Sequence, residues 1–329
     1  MKEYNKLLVE VVDKGRKRKD RTGTGTVSVF GRQIRFDMAD GFPLYGGRFI
    51  PFKPNVAELK WYLIGSSSNV TLNKLGSGVW NKWALKTPIK DEDDNVIYAE
   101  GELGPVYGVQ WRNYDGIDQI KELVNGLINN PYSRRHIVDT WNPKVLPDES
   151  KSHLQNIGDG KAVLPPCHTF FQCYVEEMTH EDRVHAFNIE NRCHFHMGSA
   201  DDIVSSDTQS RFLDKYGIPK QRLSLQLYMR SCDIPVGLPF NIAQYALLLH
   251  LLGKTCGMTP HELIVTFGDA HIYLDQISQV EELLKRDMPE LPRLSLPDGQ
   301  DLFNFDVDIV VAALTGYESG DKLPMPVSV

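Results

Sequence analysis

Cysteine is scarce: five among 329 residues, an odd number, with no Cys-x-x-Cys pair. That excludes a disulfide framework and fits a reducing compartment. No run approaches ~20 apolar residues, so no membrane-spanning helix is expected. The opening residues, MKEYNKLLVEVVDKGRKRKDRTG, hold no apolar core of signal-peptide length. Positive charge is in deficit, with 36 Lys plus Arg against 43 Asp plus Glu and a net charge of −7. Broad nucleic-acid binding, which runs on phosphate neutralisation, is a poor fit, although a small local anion site remains compatible. There is no internal repeat and no low-complexity tract. These absences point to a soluble, cytoplasmic protein of a cell, or of a virus replicating in one.

What is present is globular: 41% hydrophobic and 24% charged residues. The length can bury a sizeable core. Tyr4, Leu7, Leu8, Val11 and Val12 lie at helical spacing, which predicts a first amphipathic helix over 3–15. Helices are also expected over 54–66, 117–129, 241–256 and 272–286. Strands are expected over 27–37, 136–141, 169–176, 223–230 and 262–267, and loops over 88–101 and 145–163. The mixture argues an α+β fold. We read one domain over 1–329, with a polar excursion inserted at about 177–222.

Several constellations could carry chemistry. In Leu164-Pro165-Pro166-Cys167-His168 a thiol is held between rigid prolines and a histidine. A thiolate there would be a nucleophile, whereas a lone cysteine is more often buried structure. Arg21, the pair Arg134-Arg135, and Arg230 beside Ser231 offer guanidinium forks for phosphate, or else ordinary surface charge. Asn241, in Gly237-Leu238-Pro239-Phe240-Asn241, carries an amide that suits a uracil edge, or else caps the apolar helix it opens. Glu58 stands among apolar residues and is either a proton shuttle or an exposed helix glutamate. His271 and Tyr273, two apart on an extended segment, point the same way and could bind a sugar hydroxyl. Cys193-His194-Phe195-His196 is too tightly spaced for a familiar zinc site, so no metal is expected.

Taken in order, DRTGTGT (20–26), AEL–W (57–61), VWNKWA (79–84), GELGPVYGVQWR (101–112), SRRHIV (133–138), LPPCH (164–168), RSCD (230–233), GLPFNIAQYALL (237–248), GDAHIY (268–273) and GYESGDKLPMPVSV (316–329) span nearly the whole chain. The chain resembles the thymidylate synthase family. That resemblance implies a large sheet packed back-to-back in a homodimer. It implies that Cys167 attacks carbon 6 of dUMP and that Asn241 reads uracil. Glu58 and Tyr107 would manage proton transfers. Arg21, Arg230 and Ser231 would hold the 5′-phosphate, joined by Arg134 and Arg135 from the other subunit. His271 and Tyr273 would bind the 3′-hydroxyl. Trp80, Trp83, Asp233, Gly237 and Phe240 would form the site for 5,10-methylenetetrahydrofolate, Asp233 also lying beside the nucleotide, and Val329 would close over it.

The family branches at its last step. Synthases deliver a hydride and make dTMP. Phage nucleotide hydroxymethylases add water and make a 5-hydroxymethyl nucleotide. Gly46-Gly47-Arg48 stands where the synthase pattern has Thr-Thr-Lys, Met229 where it has Gln, Ala270 where it has Thr, and Gln276 where it has His; Pro235 is also unusual. Glycines would loosen the covering loop, and Met229 cannot replace a glutamine's hydrogen bonds. These departures favour deoxyuridylate hydroxymethylase. Trp80 and the complete C-terminal tail favour the synthase. A non-catalytic paralogue acting as a binding protein is the reading outside catalysis, and the intact Cys167, Glu58 and Asn241 argue against it.

Overall fold

The computed structural model describes residues 1–20, 22–191 and 206–327. Its helices are α1 (Lys2–Lys14), α2 (Phe52–Leu63), α3 (Asn69–Leu75), α4 (Tyr107–Arg112), α5 (Gln119–Asn129), α6 (His153–Gly158), α7 (His180–Asn191), α8 (Ser206–Lys215), α9 (Leu238–Cys256), α10 (Ile277–Leu283) and α11 (Val307–Ala312). Its strands are β1 (Arg16–Arg18), β2 (Thr26–Asp37), β3 (Ile89–Lys90), β4 (Val96–Tyr98), β5 (Ile137–Asp139), β6 (His168–Glu177), β7 (Gln221–Asp233), β8 (Thr259–Tyr273), β9 (Arg293–Leu294) and β10 (Leu314–Thr315).

Six strands form one sheet in the order β1-β2-β8-β7-β6-β5. Neighbours run antiparallel except β7 and β8, which are parallel. A parallel pair needs a crossover, and α9 supplies it. That helix is apolar on nearly every side, from Leu238 through Leu252, and is buried accordingly. Gly257, at φ 68°, ends it in the left-handed conformation that favours glycine. The fold is α+β, as the periodicities imply, and it holds the large mixed sheet that the resemblance implies.

The sheet's pairing breaks at one level across its centre. Gly31 and Gly268 drop out of the β2–β8 register, Arg230 out of β7–β8, and Thr169 out of β6–β7. Gly31 adopts φ 73°. The buried face changes parity there. Val27 and Val29 are buried before Gly31, Ile34 and Phe36 after it. On β8 the core residues are Leu263, Val265 and Phe267, then Ala270 and Ile272. A Cβ at Gly268 would press on the Arg230 carbonyl at 2.8 Å, so the backbones meet closely where the strands turn over. This break directs Arg230 towards Cys167.

Helices α1, α2 and α9 lie on one side of the sheet, where the main core runs from Tyr4 to Val310. The other face keeps apolar groups in the open. Phe30 is 78% exposed and Tyr174 59%. Phe170 and Tyr228 stack there at 5.5 Å.

Three expectations change. The acidic 88–101 stretch carries the β3–β4 hairpin, turned at Asp94 with φ 65°. The loop over 145–163 includes α6, started by a Ser152–Gln155 capping box. Over 272–286 only Ile277–Leu283 is α-helical, because β8 runs on to Tyr273. Within 177–222, Phe187 of α7, Leu213 of α8 and Ile218 beyond it form a small cluster of their own. The Cys193–His196 stretch lies outside the described residues. Among those described, no group of three or more His, Cys, Asp and Glu is placed to hold a metal, and no helix is long and apolar enough to cross a membrane.

Candidate active site

Cys167 sits where the two prolines run into β6, partly exposed. Its backbone N–H donates to the Tyr107 hydroxyl at 2.8 Å. Arg230 Nε donates to the Pro166 carbonyl at 2.7 Å and Nη2 to the Pro165 carbonyl at 3.1 Å. Proline fixes the chain locally, so these carbonyls aim the guanidinium. Arg230 Nη2 lies 3.9 Å from Cys167 Sγ. A cation beside a thiol stabilises the thiolate, the reactive form.

His168 follows, and sequence reasoning missed it. Burial holds its pKa down to about 3, so the ring is neutral. Nδ1 lies 3.2 Å from the Tyr245 hydroxyl, and Nε2 accepts from Asn241 Nδ2 at 3.1 Å. The ring stacks on Tyr107 at 4.4 Å. Asn241 is not the cap of α9. Gly237 holds that place, and the Asn241 N–H already donates to the Gly237 carbonyl. Its side chain is therefore free to face His168, one amide edge engaged and the other available. Tyr245 and Gln244 lie four and three residues further along, the helical spacing that could have exposed them.

Glu58 faces the same centre from α2. Trp80 Nε1 donates to its Oε1 at 2.6 Å, and Gln244 Nε2 to its Oε2 at 3.0 Å. The residue keeps some opening to the cleft, yet protein surrounds its carboxyl on most sides. Burial pushes the pKa up, and the Trp80, Tyr62 and Gln244 hydrogen bonds pull it back. Trp80 packs edge-on to Trp83 at 5.7 Å and to Tyr107 at 6.0 Å.

A second group gathers at the end of β7 and β8. Asp233 is partly buried, and the burial of its carboxyl raises its pKa to about 6. Gln276 Nε2 donates to Asp233 Oδ2 at 3.1 Å and to the Pro326 carbonyl at 2.9 Å. Gln276 Oε1 accepts the Tyr273 N–H at 3.0 Å. His271 and Tyr273 share one side of β8, their rings 5.2 Å apart. His271 is nearly buried, with Nδ1 3.8 Å from Asp269 Oδ2, and burial lowers its pKa. Ser231 pairs with Asp269 in register, and Phe240 stands partly buried in the first turn of α9.

Arg134 and Arg135 are exposed, just before the edge strand β5, and the Arg134 carbonyl accepts from Gln172. Arg21 and Val329 lie outside the described residues. The Gly46–Gly47 loop is tight. A Cβ at Gly46 would strike the Pro289 ring and the Glu318 carbonyl, and one at Gly47 the Tyr45 ring. These glycines serve close packing, not looseness. Gly46 O accepts from Gly320 N at 2.9 Å and Gly47 O from Arg286 Nη1 at 3.1 Å. A separate cleft of about 620 Å³ opens between α7 and the body beside His185, Arg222 and His261, away from all of these groups.

The arrangement unites a thiol with a neighbouring cation, an amide edge, a buried carboxylate and an aromatic wall. The family model of thymidylate synthase matches residues 2–329. The chain belongs to the thymidylate synthase family. It is 38% identical over 298 residues to the thymidylate synthase of Francisella philomiragia, covering 90% of this chain and 88% of that protein. It is 39% identical over 306 residues to a probable thymidylate synthase of Escherichia phage T5, covering 92% and 90%. The thymidylate synthase family transfers one carbon to dUMP, with methylenetetrahydrofolate as co-substrate, and this chain is a one-carbon transferase of that kind.

Proposed function

We propose that the final product is dTMP, with hydride and not water completing the transfer. The observation that carries this is the 2.6 Å bond from Trp80 to Glu58, which holds the indole edge-on to Tyr107, the residue bonded to the Cys167 N–H, where it would narrow the room for water. The packed Gly46–Gly47 loop removes the strongest argument for a loosened cover. Met229 bears less than its sequence position implied, since its side chain is 2% exposed and sits in the core.

In this reading Cys167 Sγ adds to carbon 6 of dUMP, and the electron pair displaced makes carbon 5 nucleophilic. Arg230 stabilises the thiolate beforehand. Asn241 donates to O4 of uracil and accepts its N3–H. Glu58 and Tyr107 hand protons to and from the ring, with neutral His168 keeping Tyr107 and Asn241 in place. Arg230, Ser231 and Arg21 bind the 5′-phosphate, and His271 and Tyr273 the 3′-hydroxyl. Trp80, Trp83 and Phe240 offer aromatic faces to a fused heterocycle, while Asp233 and the Gly237 turn offer polar contacts, a set that fits a folate. The folate supplies the carbon and the hydride when bound. Val329 closes behind it. Arg134 and Arg135 reach the phosphate from a second copy of the chain. We take 1–329 as one domain, with 177–222 as an excursion, working in the cytoplasm.

Product analysis tests the reading. Protein given dUMP and methylenetetrahydrofolate should yield a methylated nucleotide with an equal amount of dihydrofolate. A nucleotide heavier by one oxygen, without dihydrofolate, would establish the hydroxymethylase instead. No product at all would favour the binding paralogue.

A further inference from the structure

Gln244 is 1% exposed, in the middle of the most apolar helix of the chain. An amide buried so deeply needs partners for both of its ends. Its Nε2 has one, the Glu58 carboxylate, but its Oε1 is buried with none. The orientation follows from chemistry, since an ionised carboxylate accepts and does not donate. The same carboxyl, once protonated, has an O–H that needs an acceptor, and the unused Oε1 belongs to the group already touching it.

We propose that Gln244 is a positioning residue that holds Glu58 in both of its protonation states, turning its amide over as the proton comes and goes. With Glu58 ionised, Nε2 donates to it. With Glu58 protonated, a half-turn about the last side-chain bond brings Oε1 to accept the new O–H. The proton moves only between Glu58 and the cleft, and no bond of Gln244 is made or broken. Trp80 stays a donor throughout and holds the opposite oxygen. The titratable groups facing Glu58 are Tyr62 on its own helix and Tyr245 on α9, both kept protonated by burial, so neither exchanges protons with it in the working range.

The inference rests on reading Glu58 as the proton-handling carboxyl, and the test separates the two. Infrared titration of the full chain without substrate follows the protonated-carboxyl band that Glu58→Gln abolishes. In Gln244→Met, and in Gln244→Leu should that variant fail to fold, the midpoint should rise by about 0.5–1 pH unit, because the charge-assisted bond lost to the ionised form is stronger than the O–H bond lost to the neutral form. The acidic limb of kcat/KM should move with it. The band should also shift to higher frequency, because the O–H loses its acceptor. An unmoved midpoint with lowered activity would reduce Gln244 to packing and overturn the proposal. A moved midpoint with an unshifted band would overturn the turning amide. Full turnover by Glu58→Gln would sink the role of Glu58 while leaving the Gln244 result to be judged by the band.

Discussion

Asn241 and His168 divide one task between two residues. The histidine ring, neutral through burial, takes one amide N–H of Asn241 and thereby fixes which edge faces the substrate. On the proposed reading, the oxygen and the other N–H then match uracil. Asn241→Asp would present acceptors only, which suits the amino group of cytosine. The preference for dUMP over dCMP in kcat/KM should fall by roughly a hundredfold or more, since a site built around a hydrogen bond discriminates strongly. Competition between the two nucleotides would measure it, and unchanged discrimination would refute the role of Asn241.

Asp233 makes a prediction of another kind. Burial raises its pKa from 3.8 to about 6, so the fold is favoured by protonating it. That contribution is complete below pH 3.8 and is lost as pH rises through about 6. Above that, the buried carboxylate costs about 3 kcal/mol. Asp233→Asn removes this cost but forfeits one hydrogen bond, from Val236 N or Gln276, of about 1 kcal/mol. The variant should therefore be more stable than the parent at pH 8, by about 1–2 kcal/mol in urea, and should lose that advantage by pH 4. A gap that widens on acidification would contradict the assignment. Folate affinity should fall in the same variant.

At the scale of elements, the pattern of strands and helices was legible because periodicity survives in each stretch taken alone. Residues 241–256 read as a buried helix and became α9. What the sequence hid was the break across the sheet. Alternation read straight through β2 assigns Val27 and Ile34 to opposite faces, yet both are buried, because Gly31 turns the strand over. A single glycine in a strand can signal such a turn, but nothing in sequence shows that four strands break at one level. The candidate site stood out where a residue type is rare in its setting, as with Cys167 and Glu58. Gln244 and His168 were missed, and Gln276 stood out only as a departure from the family pattern, because their roles come from partners distant in the chain. Gln276 joins three elements: the end of β8 through Tyr273, the end of β7 through Asp233, and the tail through Pro326. Gln276→Ala frees all three. Its expected effect is a loss of roughly ten- to thirtyfold in kcat/KM for the folate, from the two bonds its Nε2 makes to Asp233 and Pro326, at about 1 kcal/mol each. Steady-state kinetics beside a thermal melt would check it, and a lowered melting temperature with unaltered folate kinetics would make Gln276 structural only.

For the whole molecule, the open face of the sheet and the exposed arginines raise the same question. Phe30 and Tyr174 stand in solvent on a broad sheet face, and Arg134 and Arg135 are exposed beside it on the edge. A surface of that kind fits a partner, and in a twofold homodimer each patch meets its own copy. The arginines would then complete the phosphate site of the other subunit. Phe30→Asp with Tyr174→Asp should convert a dimer to monomers in sedimentation, and should abolish turnover although neither residue is near Cys167. Complementation tests the shared site itself. Arg134→Ala and Cys167→Ala chains, each nearly inactive alone, would be unfolded together in equal amounts and refolded. Random pairing makes half the dimers mixed, and each mixed dimer has one site with both an intact Cys167 and an intact Arg134 from across the interface. Recovery of about a quarter of the parent activity is therefore expected. No recovery, from chains shown to have exchanged, would mean that each subunit binds phosphate with its own arginines.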